Sequence, residues 1–170
     1  MKWYHVDESK LSIDDSHKII LFFLENGLKN HLQFQMEVEP GYYTKEILDK
    51  LKSLGSFEEE PPLNGTISNP FQKLLERFFK SDQTLYTIRG PISKPLIDII
   101  FQTKVPEMTS SGDTFPFIFF EIIDGNKSIY QCQDYGRIQT VYLSQNDFNT
   151  TNELFENMLG IRDMLKSLPS

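Results

Sequence analysis

The strictest period in the chain lies at residues 32–39, where Leu32, Phe34, Met36 and Val38 alternate with Gln33, Gln35, Glu37 and Glu39. Alternation at period two puts each set on its own face of an extended segment, so this is a strand with one wet face. Ahead of it, Trp3-Tyr4-His5-Val6 is rich in aromatic and β-branched residues and reads as a short strand. Between the two, Ile20, Leu21, Leu24 and Leu28 recur at helical spacing behind Asp14, Asp15 and Ser16, which suit a helix start. The spacing predicts a helix over about 15–30. A buried strand turning at Glu25-Asn26-Gly27 is the competing reading, because a short apolar run fits either period.

Pro40-Gly41 turns the chain, and Thr44 caps a second helix through about Leu54, with Ile47, Leu48, Leu51 and Leu54 as its stripe and Gly55 at its end. Residues 56–68, SFEEEPPLNGTIS, hold acids, prolines and turn formers and read as the longest loop. Asn69-Pro70 then starts a helix through FQKLLERFFK, and TLYTIRG follows as a strand. Residues 92–103, with LIDIIF, fit a strand or a short helix. After a loop at 109–114, FPFIFFEII is apolar on both faces and predicts a central strand covered on each side.

Asp124-Gly125 and Tyr135-Gly136 then mark two tight turns joining SIYQCQD and RIQTVYL into a C-terminal β-meander. Thr150 and Glu153 match a capping box for a last helix over 151–167, with Leu154, Phe155, Met158, Leu159, Ile161 and Leu165 on its buried side. Helices gather in the first half and antiparallel strands in the second. That order predicts an α+β fold, a mainly antiparallel sheet packed with about four helices, as a single domain over 1–170.

Fourteen phenylalanines in 170 residues require most of these rings to be core, since exposing them would leave apolar patches too large for a soluble monomer. Cys132 is the lone cysteine, which excludes an intramolecular disulfide and fits a reducing, cytoplasmic setting. MKWYHVDESK carries charge where a secretory leader is apolar, and no run of eighteen apolar residues occurs.

Net charge is −7, and it is unevenly placed: residues 1–60 hold seven lysines against twelve acidic residues. A field of that sign repels nucleic-acid and anionic membrane surfaces and attracts basic proteins. The nine glycines are too far apart for a phosphate-binding loop or a dinucleotide fingerprint. His5, His17 and His31 lack metal-ligand spacing, and no serine sits in a nucleophile elbow. We therefore expect no catalytic residues, no metal and no cofactor. Cys132 alternates with Tyr130 in a strand and reads as a small buried hydrophobe. The carboxylates of Glu37 and Glu39 share a solvated face with Gln33 and Gln35, and Asp14/Asp15 are explained by helix initiation.

What remains is surface character. Glu58, Glu59 and Glu60 form an acidic projection, Glu37 and Glu39 add charge of the same sign, and Tyr42 and Tyr43 beside the Pro-Gly turn offer aromatic anchors. Each has a plain structural alternative: a soluble loop for the glutamates, core or turn packing for the tyrosines. The expected function is a non-enzymatic inhibitor of the bacterial immunity or antitoxin kind, which covers the active site of a basic toxin domain such as a nuclease. Two alternatives stand beside it. One is a small enzyme whose site gathers distant residues, for example Asp134, Tyr135 and Arg137; the other is an assembly or phage structural component that associates through a sheet edge.

Overall fold

The computed structural model describes residues 1–60, 85–103, 115, 117–133, 136 and 138–167. Eight strands form one sheet: β1 (Lys2–Val6), β2 (Gln33–Val38), β3 (Ser56–Glu60), β4 (Leu85–Pro91), β5 (Phe119–Asp124), β6 (Lys127–Gln133), β7 (Ile138–Leu143) and β8 (Leu165–Ser167). Four α-helices accompany them among the described residues: α1 (Ile13–Lys29), α2 (Lys45–Lys52), α3 (Lys94–Gln102) and α4 (Gln145–Leu159). The sheet order is β3-β4-β2-β5-β6-β7-β1-β8, and every neighbouring pair is antiparallel. The fold is α+β, and β5-β6-β7 is the expected meander.

Register explains where the core sits. Met36 lies opposite Ile88 on one side and Phe120 on the other, and Phe120 lies opposite Cys132. These side chains, with Phe34, Val38, Ile122, Tyr130, Val141 and Tyr4, are fully buried on one face of the sheet. The helices close that face: Phe23 of α1 stacks on Tyr130 at 4.3 Å between ring centroids, and Phe148 of α4 lies 4.4 Å from the Tyr4 ring. Burying a ring of this size contributes roughly 1.5–3 kcal/mol. Phe34, Phe115, Phe117, Phe120 and Phe155 are fully buried, so the aromatic excess is spent on the core as its abundance implied. The other face carries Gln33, Gln35, Glu37, Arg89 and Glu121, all half-buried or exposed.

The period-two segment is β2, and WYHV lies within β1. Residues 13–29 are helical, which sets aside the strand alternative. That helix starts earlier than expected because its cap is Ser12: the Ser12 hydroxyl accepts from the Asp15 amide, and the Asp15 carboxylate accepts from the Ser12 amide, both at 3.2 Å. Thr44 caps α2 as expected, accepting from the Ile47 amide. Residues 94–102 resolve as helix, with Ser93 as cap and Pro95 in the first turn.

Several expectations need correction. Residues 56–60 are not loop but strand β3, pairing with β4 from Ser56↔Arg89 to Glu60↔Leu85. An edge strand has only one neighbour and tolerates charged side chains, so Phe57 on the inner face is enough apolar character to hold it. The central strand begins at Phe119 instead of Phe115, and its burial alternates: Phe120 and Ile122 are buried, while Phe119, Glu121 and Ile123 are half-buried. It is covered fully on one side alone. The last helix spans 145–159, because Ser144 caps it through the Asp147 amide and Gly160 ends it in the left-handed region at φ 74°. Leu165 therefore belongs to β8 and not to that helix. Nor do helices and strands divide between the halves of the chain, since β1 to β4 lie within residues 2–91 and α4 follows the meander. The expected helix after Asn69-Pro70 and the loop at 109–114 lie outside the described residues. No described helix is long and apolar enough to cross a membrane.

Candidate functional site

The five acidic and tyrosine side chains whose placement can be followed, Glu37, Glu39, Tyr43, Glu58 and Glu59, gather at the β3 end of the sheet, though not on one face. Glu58 lies opposite Thr87 of β4, and Thr87 lies opposite Glu37 of β2. Residues opposite one another share a face, so Glu37 and Glu58 flank the buried Thr87 on the face away from the core, about 10 Å apart by two strand spacings. Glu59 lies opposite Tyr86 and points the other way, to the side that carries α2. Glu58 and Glu59 are exposed and make no hydrogen bond or ion pair among the described residues. Glu37 and Glu39 are half-buried and engaged. Glu60 closes the strand opposite Leu85, and its side chain lies outside what is described.

Pro40, Gly41 and Tyr42 form a single 3-10 turn, so the predicted Pro-Gly reversal is present. Tyr43 leaves that turn buried in the core, and burial pushes its phenol well above the usual tyrosine range. It offers little surface to a partner, which corrects its assignment as an exposed anchor. The side chain of Tyr42 lies outside what is described.

The other N-terminal acids lie elsewhere. Asp7 follows β1, six strand spacings or about 29 Å from β3. There it accepts from Ser9 at 2.7 Å and pairs with Lys166 at 2.5 Å and Lys10 at 3.8 Å. The Lys166 ammonium foremost, then the Ser9 hydroxyl, hold its carboxyl down at about 2. Asp15 is occupied by Ser12 and Lys18, and Glu46 by Lys50. The negative surface is therefore smaller than the twelve acids of residues 1–60; Glu58 and Glu59 are its exposed members on β3, while Asp14 and Glu25 are exposed on α1 and Asp49 on α2. Arg89 of β4 stands on the same face as Thr87, and its Nε donates to the Gln35 amide oxygen at 2.7 Å.

A cluster that the sequence did not reveal lies on the α2 side of the same edge. Phe57 of β3 and Tyr86 of β4 meet edge to face, 4.8 Å between centroids at 82°. The Lys52 ammonium, from the last residue of α2, lies 4.3 Å from the Phe57 centroid and 4.7 Å from that of Tyr86. The only sequence signal was Phe57, the one apolar residue among SFEEE; the approach of α2 is a tertiary fact.

Elsewhere, Tyr130 donates to Gln139 Oε1 at 2.9 Å inside the core, and Gln139 Nε2 donates to the Gly136 carbonyl. Burial first, then neighbouring Cys132, drive the Tyr130 phenol upward. Cys132 is fully buried in β6. Asp134, Tyr135 and Arg137, the alternative enzymatic site, lie outside the described residues. Among the described residues no three His, Cys, Asp or Glu side chains converge as a metal site would require. No protein-family model, no curated protein and no solved structure matches the chain.

Proposed function

We propose that the protein is a non-enzymatic binding protein that uses its acidic β3 edge to engage a basic protein, as an inhibitor of the immunity kind covering the active site of a toxin domain. The observation that carries this reading is the pair Glu58 and Glu59: two exposed carboxylates on the outermost described strand, facing opposite sides and lacking any counterion among the described residues. Carboxylates already satisfied internally have little to gain from a partner. Unpaired ones retain their field for an incoming cation and raise the rate of encounter.

A nuclease domain fits the partner class, because its active site is basic in order to hold phosphate and an acidic edge competes for the same potential. A bacterial cytoplasm is the setting in which such an inhibitor acts. Association of two copies through β3 is disfavoured, since antiparallel pairing of two such edges sets glutamates beside glutamates.

The test is affinity capture from source-cell lysate at low and high salt, with wild-type protein and a Glu58→Lys/Glu59→Lys variant. The expected result is a partner whose association slows with salt and is lost on charge reversal, and whose activity is suppressed by the wild type. Capture at no salt concentration, or indifference to the reversal, overturns the reading. A captured partner that stays active leaves a binding protein and removes the inhibitor.

A further inference from the structure

We propose that the paired rings of Phe57 and Tyr86, with Glu59 beside them, form a receptor for an arginine side chain of the basic partner, and that Lys52 occupies it in the free protein. The inference rests on the reading above that the partner is basic, and adds where and how one cation is taken.

The geometry starts from register. Phe57 and Tyr86 stand on the α2 side of the β3-β4 edge, both half-buried, with one ring edge against the other face. An aromatic face is negative at its centre, so two faces converging on one point attract a cation more than either does alone. A cation is already there: Lys52 Nζ lies within 5 Å of both centroids and makes no ion pair among the described residues. The site has thus been shown its ligand chemistry by the protein itself. Glu59, directly across from Tyr86 and on the same face, supplies an exposed carboxylate next to the rings.

Arginine fits this arrangement better than lysine. Its planar, weakly hydrated guanidinium stacks on a ring and forks onto a carboxylate at once, whereas an ammonium is a strongly hydrated point charge. Lys52 sits at the end of α2 on a flexible stem and can swing into water without disturbing the buried Leu51 next to it. In this role Lys52 is a competitor: it keeps the apolar rings covered until a better cation arrives.

The experiment uses hexa-arginine as probe, with hexa-citrulline as its uncharged isostere, titrated into the full chain and followed by the aromatic proton resonances of Phe57 and Tyr86. Lys52→Met removes the competitor and keeps the stem. It is compared with Lys50→Met, which removes one positive charge from the same helix away from the rings. The expected result is binding tightened about fivefold in Lys52→Met, the scale of one exposed cation–π contact, with little gain in Lys50→Met. The gain is abolished by adding Tyr86→Leu or Phe57→Leu, and hexa-citrulline leaves the ring resonances unmoved. Equal gains in the two lysine variants, or survival of the gain without the rings, overturns the proposal, since either reduces the effect to net charge. Thermal melts identify variants that do not fold; Tyr86→Phe, which keeps the ring, must retain binding. Failure here, together with salt-sensitive capture abolished at Glu58/Glu59, removes the ring receptor and leaves the binding function standing.

Discussion

Gly55 and Gly90 face each other so closely that a side chain on either would strike the other's backbone. A Cβ on Gly55 would come 2.8 Å from the Gly90 Cα and overlap the Arg89 carbonyl oxygen; one on Gly90 would come 3.1 Å from the Gly55 Cα and overlap the carbonyl oxygen of Leu54. This approach lets the chain leave α2 and turn directly alongside β4, which places β3 and its glutamates at the sheet edge. Neither glycine is needed for a left-handed backbone. Both are needed for space.

Gly55→Ala and Gly90→Ala are each expected to destabilise the protein by about 1–3 kcal/mol or more through overpacking. Gly41→Ala, where a Cβ would meet nothing within 4 Å, should stay within roughly 0.5 kcal/mol of wild type. Urea unfolding of the three variants checks this. The two costly substitutions should combine non-additively, because they act on one contact.

Asp7 joins the end of β1 to β8 through Lys166, and its lowered carboxyl gives stability a defined acid dependence. The folded group titrates near 2 against an ordinary value of 3.8. Its contribution is therefore complete above about pH 4 and disappears as pH falls through the folded value. Asp7→Asn should flatten the loss of stability between pH 4 and 2, read as the shift of the urea midpoint with pH. Lys166→Met should reproduce most of that flattening, as Lys166 is the larger cause.

Helix α4 distinguishes two candidate starts. Ser144→Ala should cost about 1 kcal/mol, since the Ser144 hydroxyl caps the Asp147 amide. Thr150, the start that the sequence favoured, lies one turn and more inside the helix, where its hydroxyl donates back to the Asn146 carbonyl. Thr150→Ala should be neutral or slightly stabilising, with thermal melts as the comparison.

Gln139 and Tyr130 form a buried polar contact on the core face of the meander. Gln139→Leu takes the amide acceptor from the Tyr130 hydroxyl and the amide donor from the Gly136 carbonyl, and should cost about 1–3 kcal/mol. Adding Tyr130→Phe should recover part of that loss, because it removes the hydroxyl that lost its acceptor, while the Gly136 carbonyl still lacks its donor. A double-mutant cycle by urea denaturation gives the recovery directly.

What could be read in advance follows the strength of local chemistry. Phe34, Met36 and Val38 alternate without a break, so β2 is legible, and Thr44 marks α2 because capping is local. The α4 start was misplaced because Ser144-x-x-Asp147 and Thr150-x-x-Glu153 satisfy similar local rules, and the packing of buried Phe155 against Phe22 of α1 is a tertiary contact that neither pattern announces. Residues 56–60 were read as loop because an edge strand needs so little apolar surface. At the candidate site the sign of Glu58 and Glu59 was legible, whereas their division between two faces, the burial of Tyr43, and the meeting of Lys52, Phe57 and Tyr86 all depend on how distant segments pair.

The placement of β1 between β7 and β8 gives the chain an order of events. Tyr4 is paired with both Val141 and Ser167, so β1 gains its neighbours only when more than 130 further residues have been made. Until then its Trp3, Tyr4 and Val6 have no ladder to join, and a nascent chain must keep a waiting strand from aggregating. Closure of the sheet at that edge waits on residues 138–167, and the Asp7–Lys166 pair then fastens the end of β1 to β8.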